Sequence, residues 1–278
     1  MEGAGKRKLE VCLVTILGMA AALLMILPII WLCFSSFKPS SELFAYPLHL
    51  FPQDPDGSAY QGVVEDGLFT YVKNSLFLAV VGTLITVGIS AMCGYALAIY
   101  RKEIFYVNKV FAVFLLGTLI PGEILTIAQF TVVSEMGLYN NIWGCILPVV
   151  TTTTGIFMYR QHYMSIPLEL VESGRLDGAS EFHIFRALML PLGSSVTITL
   201  TIFSFMWRWN DYILPLMVLS DQENFTIQIA IKSYIGTMGV DWNSILAASI
   251  LSIIPIIVIF IVLQRYITGG LAASGVKG

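Results

Sequence analysis

The sequence predicts an all-α integral membrane protein with six transmembrane helices and one short helix outside the membrane. Of its 278 residues, 56% are hydrophobic and only 12% are charged, and the mean hydropathy is +0.80. A soluble globular domain carries about 25% charged residues. Six apolar segments follow one another along the chain, and each is close to the ~20 residues that cross ~30 Å of hydrocarbon. The net charge of −3 gives no indication of nucleic-acid binding.

The predicted spans leave no room for a separate soluble domain, so residues 1–278 are predicted to form a single transmembrane domain. The first apolar segment follows Lys6-Arg7-Lys8 and is longer than the ~7–15-residue core of a signal peptide. It also lacks a clear cleavage site, which favours an uncleaved first helix. The predicted spans are 11–34, 75–100, 110–133, 142–158, 196–219 and 245–263.

The distribution of basic residues predicts the orientation of the chain in the membrane. If the N-terminus is cytoplasmic, the segments on the inner side carry eleven lysines and arginines. The outer segments then carry only Lys38, Lys73 and Lys232, while Arg208 lies within the fifth span. Basic residues collect on the cytoplasmic side of membrane proteins. Both termini are therefore expected in the cytoplasm.

A polar segment, Glu169–Pro191, separates the fourth and fifth predicted spans. Apolar residues at helical spacing predict a short amphipathic helix at its start. Asp177-Gly178 predicts a turn, and Ser180-Glu181 is typical of the start of a further helix. Because the polar segment is expected on the cytoplasmic side, we interpret it as a docking element for another protein.

The fifth predicted span carries a polar stripe, because its polar residues recur at steps of three and four and share one face at 3.6 residues per turn. The stripe consists of Ser194, Thr197, Thr201, Ser204, Arg208 and Asp211. Charged groups inside a span usually face an aqueous cavity or each other. Two interpretations remain open: an ion pair between Arg208 and Asp211 near the outer interface, or the lining of a translocation path.

Glu123 is a second acidic residue within a predicted span. It follows Pro121-Gly122, which can break a helix where the backbone faces protein or a water-filled cavity. If the fifth span lines a translocation path, Glu123 could face Arg208 across it. The candidate path residues are Thr201, Ser204, Arg208, Trp209, Asn210, Asp211 and Glu123.

The sequence contains no motif of a catalytic or metal site. It lacks a nucleotide-binding P-loop, a His-Glu-x-x-His zinc motif and a Cys-x-x-Cys pair. The histidines are far apart, and His49 is predicted on the opposite side of the membrane from His162 and His183. We therefore expect no enzymatic activity, no metal and no cofactor in this chain.

The polar segment resembles the EAA loop of the permease subunits of ABC importers. That pattern is Glu-Ala-Ala, three residues, Gly, nine residues, then Ile-x-Leu-Pro. Glu172-Ser173-Gly174 stands at its start, Gly178 at the glycine, and Leu188-Met189-Leu190-Pro191 at its end. Further stretches are similar to the carbohydrate-uptake, maltose-transporter-type branch: Asp177–Ser180, Trp209–Leu216, Gln264–Tyr266, Gly270-Leu271 and the tail Gly275–Gly278.

The resemblance implies a type I ABC importer permease fold with a cytoplasmic coupling helix in the loop 165–187. It implies a second, homologous permease, two cytoplasmic ATPase subunits or domains that bind ATP and magnesium, and an extracellular solute-binding protein. The complex would import a sugar or oligosaccharide across a bacterial cell membrane, with the spans in contact with membrane lipid. The residues expected to couple to the ATPase are Glu172, Ser173, Gly174, Asp177, Gly178 and Ala179.

Three alternatives to a sugar importer remain. The chain could serve an ABC importer of another polar solute. It could be an ion-coupled secondary transporter with Glu123, Arg208 and Asp211 as coupling charges, although the inverted repeats of that class are not visible. It could also be a membrane scaffold, against which the polar stripe argues.

Overall fold

The structure is a computed structural model that describes residues 2–117, 119–236 and 239–274. These residues are mostly helical, in agreement with the predicted all-α class. The tail Gly275–Gly278, which contributed to the resemblance, lies outside the described residues.

Among the described residues, three long helices are apolar enough to cross a membrane unbroken. The candidate spans within them are Val11–Ser35, Leu68–Ile99 and Trp242–Val262. They coincide with the first, second and sixth predicted spans. The helices themselves are α1 (Glu2–Ser35), α4 (Leu68–Ile99) and α15 (Trp242–Ser274).

The other three predicted spans are not single continuous helices, which differs from the sequence-based prediction. Each is long and apolar enough to cross a membrane only as a pair of helical segments that is bent by more than 40°. The pairs are Val107–Gly117 with Gly122–Glu135 (100°), Ile142–Val149 with Thr153–Met164 (43°), and Glu181–Leu192 with Ser194–Trp209 (77°). Their main helices are α5 (Val107–Gly117), α6 (Gly122–Glu135), α7 (Ile142–Ile146), α8 (Thr153–Met164), α10 (Glu181–Ile184), α11 (Leu190–Leu192) and α12 (Ser194–Trp209). Between the second and third pairs lies a separate helix, α9 (Glu169–Leu176).

Proline and glycine account for the breaks. Pro121 is the residue before α6, and Pro148 lies in a short 3₁₀ turn after α7. Proline has no backbone N–H to donate and restricts the residue before it. Thr152 then caps α8, because its hydroxyl accepts from the Gly155 amide at 3.2 Å. Gly193 stands at the third bend, directly before α12.

Short elements connect these helices. A single π-helical turn, Phe185–Met189, lies between α10 and α11. The fifth predicted span, 196–219, is helical only to Trp209, and a separate helix follows after three residues. The remaining elements are α2 (Ser40–Leu43), α3 (Ser58–Glu65), α13 (Ile213–Val218), α14 (Ile227–Ser233) and an antiparallel pair of strands, β1 (Ile235–Gly236) and β2 (Gly239–Val240).

The chain divides into two compact units. The first comprises Met1–Leu68 and Ile231–Ile253, and the second comprises Phe69–Ala230 and Ile254–Gly278. In the first unit, Asn243 joins distant segments, because its Nδ2 donates to the Lys38 carbonyl at 2.5 Å and its Oδ1 accepts from Ser40 Oγ at 2.6 Å. The prediction of one transmembrane domain stays a prediction.

The second unit contains two apolar clusters and both candidate functional regions. One cluster brings Val171 and Ile184 of the polar segment against Tyr95 of α4 and Tyr163 of α8. The polar segment is therefore packed against the spans. The other cluster consists of Leu78, Val133, Cys145, Ile146, Leu214, Val218, Leu219 and Ile229.

Candidate functional site: a docking helix and a polar cavity

The predicted docking helix is present as α9, and a glycine ends it. Gly178 has φ +76°. The Ala179 amide donates to the Gly174 carbonyl and the Gly178 amide donates to the Arg175 carbonyl, both at 3.0 Å. This pair of bonds is the Schellman arrangement, which needs a left-handed residue after the helix. The predicted turn at Asp177-Gly178 is confirmed. Ser180 caps α10, because its hydroxyl accepts from the His183 amide.

We expect substitutions of Gly178 to destabilise the protein through backbone strain alone, without steric clash. A Cβ atom on Gly178 would meet nothing within 4 Å, so only the positive φ opposes a side chain. Asparagine tolerates this conformation, whereas a β-branched residue does not. Gly178→Val should therefore lower the unfolding free energy by about 1–3 kcal/mol, and Gly178→Asn by less than half as much. Equal thermal unfolding midpoints for the two variants would contradict this assignment.

A hydrogen-bonded pair fixes α9 to α10 and to the second span. Arg175 Nε donates to Glu181 Oε1 at 2.6 Å, and the hydroxyl of Tyr95 donates to Glu181 Oε2 at 2.9 Å. The guanidinium of Arg175 also lies 5.5 Å from the ring centroid of Tyr100. The Glu181 carboxylate raises the pKa of the Arg175 guanidinium, so the pair remains charged. These contacts connect α9 to α4.

The opposite face of the polar segment is exposed and carries both acidic and apolar side chains. Leu176 is 88% exposed, and Phe182 is exposed as well. Glu172, Ser173 and Asp177 are also exposed, whereas Gly174 and Ala179 are half-buried. Large apolar side chains in water indicate an interaction surface when they occur together. The exposed face could therefore contact a groove that is apolar and carries basic or polar groups.

Gly174 allows α9 to approach α10 closely. A Cβ atom at this position would lie 3.1 Å from Ile184 Cγ1 and 3.3 Å from Cδ1. The expectation from helix propensity alone is that Ala stabilises the helix by up to about 1 kcal/mol relative to Gly. Here crowding against Ile184 opposes that gain. Close packing on Ile184 therefore explains why glycine stands at position 174, where the EAA pattern has alanine.

We predict that Gly174→Ala stabilises the protein by clearly less than the about 1 kcal/mol expected from propensity. Ser173→Ala is the matched control, because Ser173 is exposed on the same helix and should gain the ordinary increment of about 0.5 kcal/mol. Thermal unfolding of both variants in the same lipid measures the difference. A full gain for Gly174→Ala would show that Ile184 moves away freely.

Arg208 lies in a hydrogen-bonded site between three helical segments, and only 7% of it is exposed. Nη1 donates to Ser204 Oγ at 2.5 Å and to the Ser204 carbonyl at 3.2 Å. Nη2 donates to Thr86 Oγ1 at 2.6 Å and to the Val149 carbonyl at 2.7 Å. Thr86 in turn donates to the Val150 carbonyl at 2.7 Å. Two carbonyls freed by the break before α8 are thus satisfied.

The guanidinium of Arg208 is bonded to these oxygen atoms rather than to the Asp211 carboxylate. The backbone amides of Ile213 and Leu214 instead lie in hydrogen-bonding position to Asp211. Gly82 leaves the room for the guanidinium, since a Cβ atom there would clash with Arg208 Nε and Cδ. Of the two interpretations left open, the direct ion pair is not formed.

A cavity of about 690 Å³, here called the polar cavity, lies beside the C-terminal half of α12. It brings together four of the predicted path residues, namely Glu123, Arg208, Asn210 and Asp211. The remaining lining residues are Gly122, Val149, Thr152, Phe203, Met206 and Trp207. The structure therefore places Glu123 on the same cavity as Arg208, as the sequence suggested.

The other three predicted path residues do not line the polar cavity. Trp209 is only 1% exposed and stacks on Phe205, with 5.6 Å between ring centroids. Thr201 donates to the Thr197 carbonyl at 2.7 Å, and Ser204 is buried beneath Arg208. Aromatic residues that line the cavity were missed as path residues. Phe203 and Trp207 are four residues apart in the sequence, and this helical spacing could have indicated that they share one face.

The described residues contain no group of three or more histidine, cysteine, aspartate or glutamate side chains that could hold a metal ion. Glu123 and Asp211 are the acidic residues on the polar cavity.

The sequence matches the family described as "Binding-protein-dependent transport system inner membrane component" over residues 6–272. It is 32% identical to the arabinooligosaccharides transport system permease protein AraQ of Bacillus subtilis (strain 168), covering 95% of each chain. It is 29% identical to the sn-glycerol-3-phosphate transport system permease protein UgpE of Yersinia pestis bv. Antiqua (strain Antiqua), covering 91% of this chain and 92% of that protein.

The fold is similar to a chain in the crystal structure of a bacterial ABC transporter involved in the import of the acidic polysaccharide alginate. The TM-score is 0.78 at 25% sequence identity, and the match covers 94% of this chain and 96% of that chain. The resemblance to ABC importer permeases and the predicted fold class are thereby confirmed. The chain belongs to the family of binding-protein-dependent transport system inner membrane components.

Proposed function

We propose that this chain is a permease subunit of an ATP-driven importer of a sugar or oligosaccharide. It forms half of the translocation pathway, and α9 transmits the movement of a cytoplasmic ATPase to the spans. One observation carries the proposal: the exposed helix of the EAA-like loop is tied to α4 through Arg175, Glu181 and Tyr95. An exposed helix with a hydrogen-bonded link to a span is suited to energy coupling.

The partners in this proposal are a second permease, two ATPase subunits or domains and an extracellular binding protein. The ATPases bind ATP and magnesium, so this chain itself catalyses no reaction. The coupling residues are Glu172, Ser173, Gly174, Asp177, Gly178 and Ala179. With the exposed face of the polar segment in the cytoplasm, both termini are cytoplasmic and the polar cavity opens toward the outer half of a bacterial cell membrane.

The solutes for which the related proteins are named are all polar and rich in oxygen, but they differ in charge. An arabino-oligosaccharide is neutral, glycerol 3-phosphate is an anionic ester, and alginate is acidic. The sugar class fits the polar cavity, because aromatic rings and hydrogen-bonding side chains together are typical of small-molecule sites. The path residues that we assign to it are Glu123, Asn210 and Asp211, while Arg208 supports the wall.

Uptake into proteoliposomes tests the proposal. The assembled importer should accumulate a labelled saccharide only when ATP is inside the vesicles and the binding protein is outside. A vesicle with a proton or sodium gradient and no ATP is the control for ion-coupled transport. Accumulation in that control, or ATP-driven uptake without any need for a binding protein, would contradict the proposed function.

A further inference from the structure

We propose that the polar cavity is a subsite for an uncharged saccharide and that Glu123 makes it disfavour anionic sugars. This inference rests on the proposed transport function and deepens it, since it names the charge class of the solute from residues of this chain. Three features of the polar cavity carry it: an aromatic wall, two carboxylates and an arginine whose two terminal nitrogens already donate to the protein.

The aromatic wall consists of Phe203 and Trp207. The two residues stand one turn apart on α12, and their rings are stacked with 5.9 Å between centroids and an interplanar angle of 15°. They are 46% and 47% exposed, and both line the polar cavity. The C–H face of a sugar ring packs well against the electron-rich face of an aromatic ring. The exposed parts of these rings thus offer an apolar aromatic surface on which a sugar ring can pack.

The two acidic side chains of the cavity supply hydrogen-bond acceptors. Glu123 and Asp211 carry carboxylates, which accept hydrogen bonds and cannot donate them when ionised. Asn210 adds an amide at the same end of α12. The hydroxyl groups of a neutral sugar are donors that suit these acceptors. The volume of about 690 Å³ lies in the range of small-molecule sites.

An anionic sugar would find no free cation in this cavity. Arg208 is the one basic residue among the described residues that line it. Both of its terminal nitrogens already donate to protein oxygen atoms of Ser204, Thr86 and Val149. Its Nε has no hydrogen-bond partner, but this atom is buried and faces Gly82. A carboxylate or phosphate on the solute would have to break these bonds to be paired.

Glu123 is the exposed charge that such an anion would meet. It stands in the first turn of α6, is exposed, and forms no ion pair among the described side chains. Like charges brought together in a binding site are strongly unfavourable and reject the wrong partner. The polar cavity should therefore discriminate between saccharides of equal length and different charge.

Equilibrium binding to the assembled importer in lipid nanodiscs tests this inference. The neutral probes are arabinotriose and maltotriose, and the anionic probe is trigalacturonate. We expect at least one neutral probe to bind at least about tenfold more tightly than trigalacturonate. Glu123→Lys should reduce or reverse this ratio, and Trp207→Ala should weaken binding of the neutral probe about tenfold. Glu135→Lys and Trp143→Ala are matched controls outside the cavity and should change neither value.

Equal binding of the neutral and anionic probes would overturn the inference, as would failure of both neutral probes to bind. An unchanged ratio in Glu123→Lys, or full affinity in Trp207→Ala, would overturn it equally. ATP-driven uptake measured on the same preparations separates the two proposals. If uptake is retained without discrimination, only this inference fails. If no saccharide is taken up with ATP and the binding protein present, the proposed function fails as well.

Discussion

Replacement of Arg208 by methionine is expected to destabilise the protein by roughly 3–5 kcal/mol, which is the cost of removing one partner from a buried charged network. Methionine fills much of the same volume but donates no hydrogen bond. The Val149 carbonyl and the Ser204 hydroxyl would then be left without their donor in a buried site, and each such group costs about 1–3 kcal/mol. The thermal unfolding midpoint should fall by roughly 10 °C.

Arg208→Lys should lie between the wild type and the methionine variant. Lysine keeps the charge but has a single terminal nitrogen. The planar guanidinium of arginine donates from one nitrogen to Ser204 and from the other to Thr86 and Val149, and one ammonium group cannot reproduce both sets of bonds. Arg186→Met is the control, because Arg186 is exposed. The unfolding midpoint and the yield of assembled importer are measured for all three variants.

The same variants distinguish a structural role of Arg208 from direct contact with the solute. If Arg208 holds the break before α8 together, stability and uptake fall in parallel. A methionine variant that unfolds at the wild-type temperature and still fails to transport would instead mean that Arg208 binds the solute. That result would restore the translocation-path interpretation of this residue.

The six apolar segments could be predicted from the sequence, because a run of about 20 apolar residues has few alternatives to crossing a membrane. The bends within three of them could not. Pro121 and Gly122 signalled one break, but proline is tolerated inside membrane helices when neighbouring groups satisfy the freed carbonyls. Whether a helix stops at Val149 depends on Thr86 and Arg208, which lie 64 and 59 residues away from their carbonyl partners.

The polar stripe shows why only part of the candidate site could be predicted. Its periodicity correctly placed Arg208 and Asp211 near one cavity with Glu123. The aromatic residue was assigned to the wrong side of the helix: Trp209 is buried, whereas Trp207 lines the cavity. Two residues apart on a helix are about 200° apart in direction. Each tryptophan also has a phenylalanine four residues before it, so local sequence could not decide between them.

The polar segment was the most predictable region, because the residues that form its turn interact only with near neighbours in the sequence. Gly178 needs a positive φ and Ser180 accepts from a backbone amide three residues later, and both effects act within one turn of chain. The ion pair that joins the two helices across this turn was not predicted. The ion pair depends on the direction of α10 after the turn at Gly178. It also depends on Tyr95, a residue of α4 that is distant in sequence and donates to Glu181.

That ion pair provides the second large expected effect. Arg175→Glu should lower solute uptake per ATP hydrolysed at least about fivefold, the lower end of typical coupling between sites. Two carboxylates would then face each other between α9 and α10, and the repulsion would separate the docking helix from Tyr95 and α4. Because both side chains are partly exposed, the pair itself adds little to stability, about 0–1 kcal/mol. The loss should therefore appear in coupling more than in the unfolding midpoint.

A double variant gives the sharpest form of this experiment. Arg175→Glu combined with Glu181→Arg restores opposite charges at the same two positions and should recover a substantial part of the uptake. Arg186→Glu makes the same charge change at an exposed residue close by and is expected to transport normally. ATP hydrolysis and uptake are measured together on each assembled importer. If the double variant is as uncoupled as Arg175→Glu, then Arg175 acts on the partner ATPase directly, and the bond to Glu181 is not the link between the docking helix and the spans.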